Sequence, residues 1–117
     1  MPILYLNLKR VSKYFIDPVP HQFMILMFKY RGGMCEVVPA VCHVDGTARQ
    51  QTASKDENKT WYELIKAFKG IIGEGIILNT SFNLAGEPLV ETPQDAIKSY
   101  ALGAFKAIYL QGYLIQK

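Results

Sequence analysis

Apolar residues in this chain gather in short runs, and the spacing within each run predicts its element. Phe23 to Tyr30 is almost continuously apolar, which predicts a central strand buried on both faces, closed by Arg31-Gly32-Gly33. Val37 to Val44 is β-rich but carries Pro39, which suits a strand start or an edge position. Asp45-Gly46 signals a turn, and Thr47 to Ala53 alternates well enough for the return strand. Residues 3–15 mix apolar and basic positions and fit a short helix or an extended lead-in. Asp17-Pro18-Val19-Pro20 then excludes regular structure, because each proline removes a donor and restricts its predecessor.

Polar Ser54 to Lys59 reads as a loop, and a helix follows it. Thr60-x-x-Glu63 has the capping-box form, and Trp61, Leu64, Ile65 and Phe68 make one apolar stripe for the sheet, with Gly70 and Gly73 as stops. Ile76-Ile77-Leu78 predicts a short buried strand. Thr92 as N-cap, Pro93 at the first helical position and Asp95 in the first turn predict a second helix, its inner face built from Ile97, Tyr100, Ala101 and Ala104. Ala107 to Ile115 predicts a final strand, and Trp61, Phe68 and Tyr100 are expected in the core. This order predicts a single α/β or α+β domain over residues 1–117, with a mixed twisted sheet flanked by two main helices.

Composition adds limits. A chain of 117 residues with net charge +3 and scattered lysines and arginines has no basic run to track a nucleic-acid backbone. No apolar stretch approaches the ~20 residues a membrane helix needs, and the amino terminus lacks a basic lead and a cleavage site. Cytoplasmic residence is the expectation. Cys35 and Cys42 form no Cys-x-x-Cys motif, so two reduced thiols are expected, with a disulfide as the alternative. Two histidines and two cysteines without zinc spacing predict no metal site.

Two polar islands carry the candidate chemistry: His43-Val44-Asp45-Gly46-Thr47-Ala48-Arg49-Gln50-Gln51, and Leu78-Asn79-Thr80-Ser81-Phe82-Asn83 followed by Gly86-Glu87-Pro88. Each follows an apolar run and so falls where a sheet would end, the usual place for a ligand in an open α/β sheet. Arg49 offers a planar, permanently charged fork for phosphate or carbamoyl oxygens, or else an exposed ion pair. Asn79, Thr80 and Ser81 offer short polar groups and backbone amides, and Asn83 either holds the loop or accepts from an NH₂ group; a turn bonding its own backbone is the plainer reading. His43 is a ligand contact or a hydrogen-bonded strand histidine, and His21 is plain surface. Asp45 serves an Asx-turn or the magnesium of a nucleotide.

With these motifs in place, the chain resembles the carboxyl-terminal domain of the carbamoyltransferases of the nodulation and antibiotic-biosynthesis type, which is related to the YrdC-like fold. The resemblance rests on Phe23-Met24, on Pro39 to Arg49, on Leu78 to Asn83, on Gly86-Glu87-Pro88-Leu89-Val90 with Thr92-Pro93-Gln94-Asp95-Ala96, and on the closing Gly112-Tyr113-Leu114-Ile115. It implies a partial YrdC-like fold and a site that uses carbamoyl phosphate and ATP, with Mg carried as co-substrate, to make a carbamoyl-adenylate. Arg49, Asn79, Thr80, Ser81 and Asn83 match the binding motifs. Transfer to an acceptor hydroxyl then falls to a separate amino-terminal domain.

That domain and the upstream basic motifs are not in this sequence. Phe105-Lys106 stands where the family commonly carries an acidic residue. A partner chain and a homodimer are therefore expected. A non-catalytic nucleotide- or phosphate-binding module and a structural, oligomerising remnant are the alternatives to an enzyme.

Overall fold

The computed structural model describes residues 3–7, 11–23 and 25–117, the side chains of 3–7 excepted. Residues 8–10 of the lead-in and Met24 of the Phe23-Met24 motif lie outside the described residues. The chain divides into two compact units, residues 1–80 and 81–117. Its fold is mixed α/β, as expected.

The first unit is built on a four-stranded sheet in the order β2-β3-β1-β4. Its strands are β1 (Ile3–Asn7), β2 (Met27–Lys29), β3 (Thr47–Ala53) and β4 (Ile76–Asn79). β1 runs parallel to β3 and antiparallel to β4, and β2 pairs antiparallel with β3, so the sheet is mixed. A one-turn helix α1 (Val11–Tyr14) delivers Val11, Tyr14 and Phe15 into an aromatic core with Phe28, Tyr30, Val41 and Ala48. Phe15 stacks on Tyr30 at 4.6 Å between ring centroids and meets Phe28 edge-on at 6.2 Å. The lead-in is thus both of its expected alternatives, a strand and then a helical turn.

The Phe23–Tyr30 run corrects its expectation. Only Met27–Lys29 is strand, it lies at the sheet edge, and Ile25 is 77% exposed. An unbroken apolar run reports affinity for burial, but here only Phe28 and Tyr30 reach the core, and Phe23, Ile25, Leu26 and Met27 are exposed. Val37–Val44 is likewise no strand. It holds the end of α2 (Met34–Val37) and a 3-10 turn (Pro39–Val41), which Pro39 starts without needing its missing donor. Cys35 and Cys42 are disulfide-bonded across this stretch, with Cα atoms 5.4 Å apart, so the expected reduced thiols are replaced by the alternative.

Helix α3 (Lys59–Ile72) is capped two residues earlier than its sequence signal, at Asn58 instead of Thr60. The Asn58 side chain accepts from the Trp61 amide at 3.2 Å, and Gly73 closes the helix in the left-handed conformation. Of the expected stripe, Ile65 is fully buried, Trp61 is half-buried, and Leu64 and Phe68 are exposed. β4 is an edge strand, half-buried rather than buried.

In the second unit, α4 (Pro93–Leu102) starts as predicted. Thr92 and Asp95 form a reciprocal capping box, with the Asp95 amide donating to Thr92 Oγ1 at 3.1 Å. Its buried face is Ala96, Ser99 and Tyr100; Ile97 and Ala101 are exposed, which moves the expected inner face by one position. The predicted final strand is a hairpin of β5 (Ala107–Leu110) and β6 (Tyr113–Gln116), turned at Gln111-Gly112, both with positive φ. Among the described residues no helix is long and apolar enough to cross a membrane.

Candidate functional site

The sheet of the first unit places its candidates by register. Arg49 is the partner of Ile3 in β1 and of Met27 in β2, and Asn79 is the partner of Ile3 from the other side. Met27, Arg49, Ile3 and Asn79 therefore form one row across all four strands. Residues opposite each other in register project from the same sheet face. Arg49 and Asn79 are two strands apart, roughly 10 Å at ordinary strand spacing, a span that an extended arginine covers in large part.

This brings together two residues 30 positions apart in the chain, at an end of the sheet where β3 begins and β4 finishes. The first polar island thus precedes and opens its strand, whereas the second ends one. The antiparallel return of β4 puts both at the same end.

Arg49 is half-buried, and its guanidinium has no hydrogen-bond or ion-pair partner among the described residues. The exposed ion-pair alternative is therefore absent there. Asn79 is held by Gln51, two positions beyond Arg49 on the same face: its Nδ2 donates to Gln51 Oε1 at 3.3 Å. Gln51 is in turn fixed by donating from Nε2 to the Gln22 carbonyl at 2.7 Å. Gln51 is a positioning residue that sequence reasoning left unassigned, and its polar character inside a buried strand was the available signal.

The neighbouring residues of β3 explain the orientation. Gln50 Nε2 donates to the Val19 carbonyl at 3.1 Å, and Thr52 donates to the His21 carbonyl from both its amide and its hydroxyl, at 2.8 and 3.1 Å. Residues 19–22 thereby line the β3 edge beyond the reach of β2. A segment containing Pro20 has too few donors for a normal ladder, and the side chains of β3 supply the missing bonds. His21 is half-buried here, with Nε2 buried and unpartnered among the described residues, so it is not plain surface.

His43 sits in the turn before β3, not in a strand. Its amide donates to the Thr47 carbonyl at 2.9 Å and its carbonyl accepts from Gly46 at 2.9 Å. Its Nε2 is buried and has no partner among the described residues. Asp45 makes the expected Asx-turn, accepting from the Thr47 hydroxyl at 2.6 Å and the Thr47 amide at 3.0 Å. The Thr47 hydroxyl, then its amide and the nearby His43, hold the Asp45 carboxyl below its ordinary range. Burial pushes the Tyr30 phenol up. Thr80 follows β4 in irregular, exposed chain.

Ser81 and Asn83 belong to the second unit. Ser81 is exposed. Asn83 Nδ2 donates to the Glu87 carbonyl at 2.9 Å, inside a turn closed by Glu87 amide to Leu84 carbonyl at 3.0 Å. The Val90 amide reaches the Phe82 carbonyl at 2.9 Å, and Phe82 packs edge-on against Phe105. Of its two expected roles, Asn83 thus holds the loop. Among the described residues no group of three His, Cys, Asp or Glu side chains is arranged to hold a metal ion.

Comparison with known proteins gives this geometry its context. Residues 3–117 match the model of the family described as carbamoyltransferase C-terminus. The chain is 43% identical over 107 residues to an uncharacterized protein of Methanocaldococcus jannaschii, covering 92% of this chain and 21% of that protein. It is 39% identical over 95 residues to nodulation protein NolNO of Sinorhizobium fredii, covering 81% and 14%. It is 40% identical over 58 residues to the 3'-hydroxymethylcephem-O-carbamoyltransferase of Amycolatopsis lactamdurans, covering 50% and 11%. The chain spans about a fifth or less of the length of these relatives. By the match of residues 3–117 to its model, this chain belongs to the carbamoyltransferase C-terminus family.

Proposed function

We propose that this chain forms part of a site for carbamoyl phosphate and ATP, used to make a carbamoyl-adenylate ahead of carbamoyl transfer to an acceptor hydroxyl. The observation that carries this reading is the half-buried Arg49 guanidinium, without a partner among the described residues, in one row with Asn79. A permanent cation held partly out of water gains most from an anion that accepts two parallel hydrogen bonds, as a phosphate does. Hydrolysis of carbamoyl phosphate by one water gives inorganic phosphate and carbamate, whose oxygen then bonds to the α-phosphorus of ATP as pyrophosphate departs. In such in-line chemistry the protein contributes position and charge neutralisation more than a nucleophile of its own.

In this role Arg49 binds phosphate oxygens, Asn79 orients the carbamoyl group, and Thr80 and Ser81 bind phosphate or ribose hydroxyls. Asn83 fixes the turn to Glu87 that follows Ser81, and His43, whose Nε2 is unpartnered among the described residues, completes the set. Magnesium enters with ATP as part of the substrate.

Calorimetry tests the reading: ATP or carbamoyl phosphate binds the native chain saturably and Arg49→Ala loses that binding. Equal binding by both proteins removes Arg49 from the site. A second reading, a phosphate-binding module without turnover, is favoured by the presence of one arginine in the row. Absence of pyrophosphate release from ATP plus carbamoyl phosphate, with binding retained, selects it.

The acceptor step belongs, in this proposal, to polypeptide beyond this chain, working in the cytoplasm. Exposed Phe23, Ile25 and Met27 beside the edge strand β2 support self-association as a homodimer. Light scattering at high concentration that returns a monomer mass refutes it.

A further inference from the structure

Among the described residues, the segment 34–42 is held mainly by local bonds. The backbone amides of Met34, Glu36, Val38, Val41 and Cys42 all donate to carbonyls three or four positions away. Val41 is buried in the aromatic core, and the Tyr30 hydroxyl reaches its carbonyl at 3.5 Å. What joins the start of α2 to the end of the 3-10 turn is the Cys35–Cys42 disulfide. A disulfide stabilises a fold chiefly by restricting the unfolded chain, and more so the longer the loop it closes. This one spans seven positions, whereas Lys13 and Glu74 already meet across 61. It is therefore a weak staple for the unit and a strong constraint on the segment inside it. Both cysteines are half-buried, and exposed Glu36, Val37, Pro39 and Ala40 lie between them, which leaves the bond open to thiol attack from solvent.

The turn that follows is in direct contact with this bond. Cys42 Sγ lies 3.4 Å from the His43 carbonyl oxygen, which also accepts from the Gly46 amide at 2.9 Å. In the disulfide that sulfur carries no hydrogen. Once reduced, it becomes an S–H donor within reach of the same carbonyl. The carbonyl then faces two donors, one of them on a segment freed from its tether. The His43 amide closes this turn on the Thr47 carbonyl at 2.9 Å, and the Gly46 carbonyl accepts from the Tyr30 amide at 3.0 Å. The turn also opens β3, two residues before Arg49.

We propose that Cys35–Cys42 is a reversible redox switch that sets the order of residues 34–47, with a dithiol as its reductant. One thiolate of the dithiol attacks a disulfide sulfur, the S–S bond breaks and a mixed disulfide forms. The second thiolate then displaces the chain's sulfur, so two electrons and two protons pass to the chain and the dithiol leaves as its disulfide. The switch is independent of the anion site proposed above, because its test needs no ligand. Dithiothreitol titration of the full chain provides that test, with free thiols counted by alkylation and mass spectrometry and amides followed by NMR. Reduction in the folded state is expected to quicken exchange at the Val38, Val41 and Cys42 amides about tenfold and to shift the Gly46 amide resonance, while the β1 and β4 amides keep their native rates. Oxidised dithiothreitol restores the starting spectrum. Cys35→Ser, which leaves Cys42 a thiol, reproduces the reduced spectrum with or without dithiothreitol. Reduction that occurs only as the sheet unfolds, a reduced chain with Gly46 and residues 34–42 unchanged, or a disulfide that does not re-form overturns the proposal.

Discussion

In the first unit, beside local ties such as Asp45 to Thr47, several side-chain ties join distant parts of the chain: Gln50 to Val19 across 31 positions, Asn79 to Gln51 across 28, Lys13 to Glu74 across 61. In the second unit they are short. Asn83 reaches Glu87 four positions on, Thr92 and Asp95 cap each other at three, and the longest described, Lys117 to Ala101, spans 16. Local ties form with little loop-closure entropy and fail singly. Distant ties form only when the surrounding fold is in place, so loss of one spreads to everything it connects. The Arg49 row lies in the unit of distant ties, which makes its geometry a property of the whole sheet.

Gln50→Ala is the strongest way to break this contrast. Gln50 is fully buried, and its removal leaves a cavity and strips the Val19 carbonyl of its donor. A loss of about 3 kcal/mol in urea unfolding is expected. Amide exchange gives the sharper result, with faster exchange at the His21 amide, which Thr52 Oγ1 now binds at 2.9 Å. Protection at His21 equal to wild type would show that residues 19–22 do not depend on β3.

Glu74 ranks next. Both of its carboxylate oxygens accept from the Lys13 ammonium, at 2.7 and 2.8 Å, and it also accepts from the Tyr14 hydroxyl. Those bonds, Lys13 first and Tyr14 second, hold its carboxyl below the ordinary range. A carboxyl whose folded value lies below its unfolded one contributes stability that is complete above the unfolded value, roughly pH 4.5, and is lost as pH falls through the folded value. Glu74→Ala is expected to lower stability by about 1.5 kcal/mol at pH 7, because the site is partly open to solvent. The gap between variant and native protein narrows on acidification below about pH 4. Urea midpoints measured from pH 7 to pH 3 check this, and a gap that stays constant removes Glu74 charge from the account.

The same contrast of range governs what the sequence disclosed. The α4 start was legible because Thr92, Pro93 and Asp95 are adjacent and each favours the same structure. For α3, Asn58 and Thr60 compete as caps within one turn, so only the helix itself was clear. The turn at Gln111-Gly112 was hidden because glutamine rarely adopts positive φ and glycine alone is a weak signal. Exposure of Ile25 was not legible, since an apolar run does not state what covers it. In the candidate site, Arg49 and Asn79 were named from their motifs. Their shared row through Ile3 follows from strand register, which no local pattern encodes; Gln51 was named only as a member of the first polar island, without the positioning role that register gives it. The disulfide was an alternative in the sequence because spacing does not fix the turn that brings Cys35 to Cys42.

Thr92→Ala supplies the smallest effect and the cleanest counterpart to Gln50→Ala. Thr92 Oγ1 accepts from the Asp95 amide, and the Asp95 carboxylate accepts in return from the Thr92 amide. Alanine removes the first bond outright and frees the carboxylate from the hydroxyl, at a cost of about 1 kcal/mol, typical for an N-cap. The exposed position leaves no buried group stranded, so the penalty stays near that figure. Faster amide exchange should be confined to the first turn of α4, with the His21 amide and the β3 amides at their native rates. Should β3 protection fall as well, the second unit would be coupled to the first as tightly as the first is to itself, and the division by range of interaction would fail.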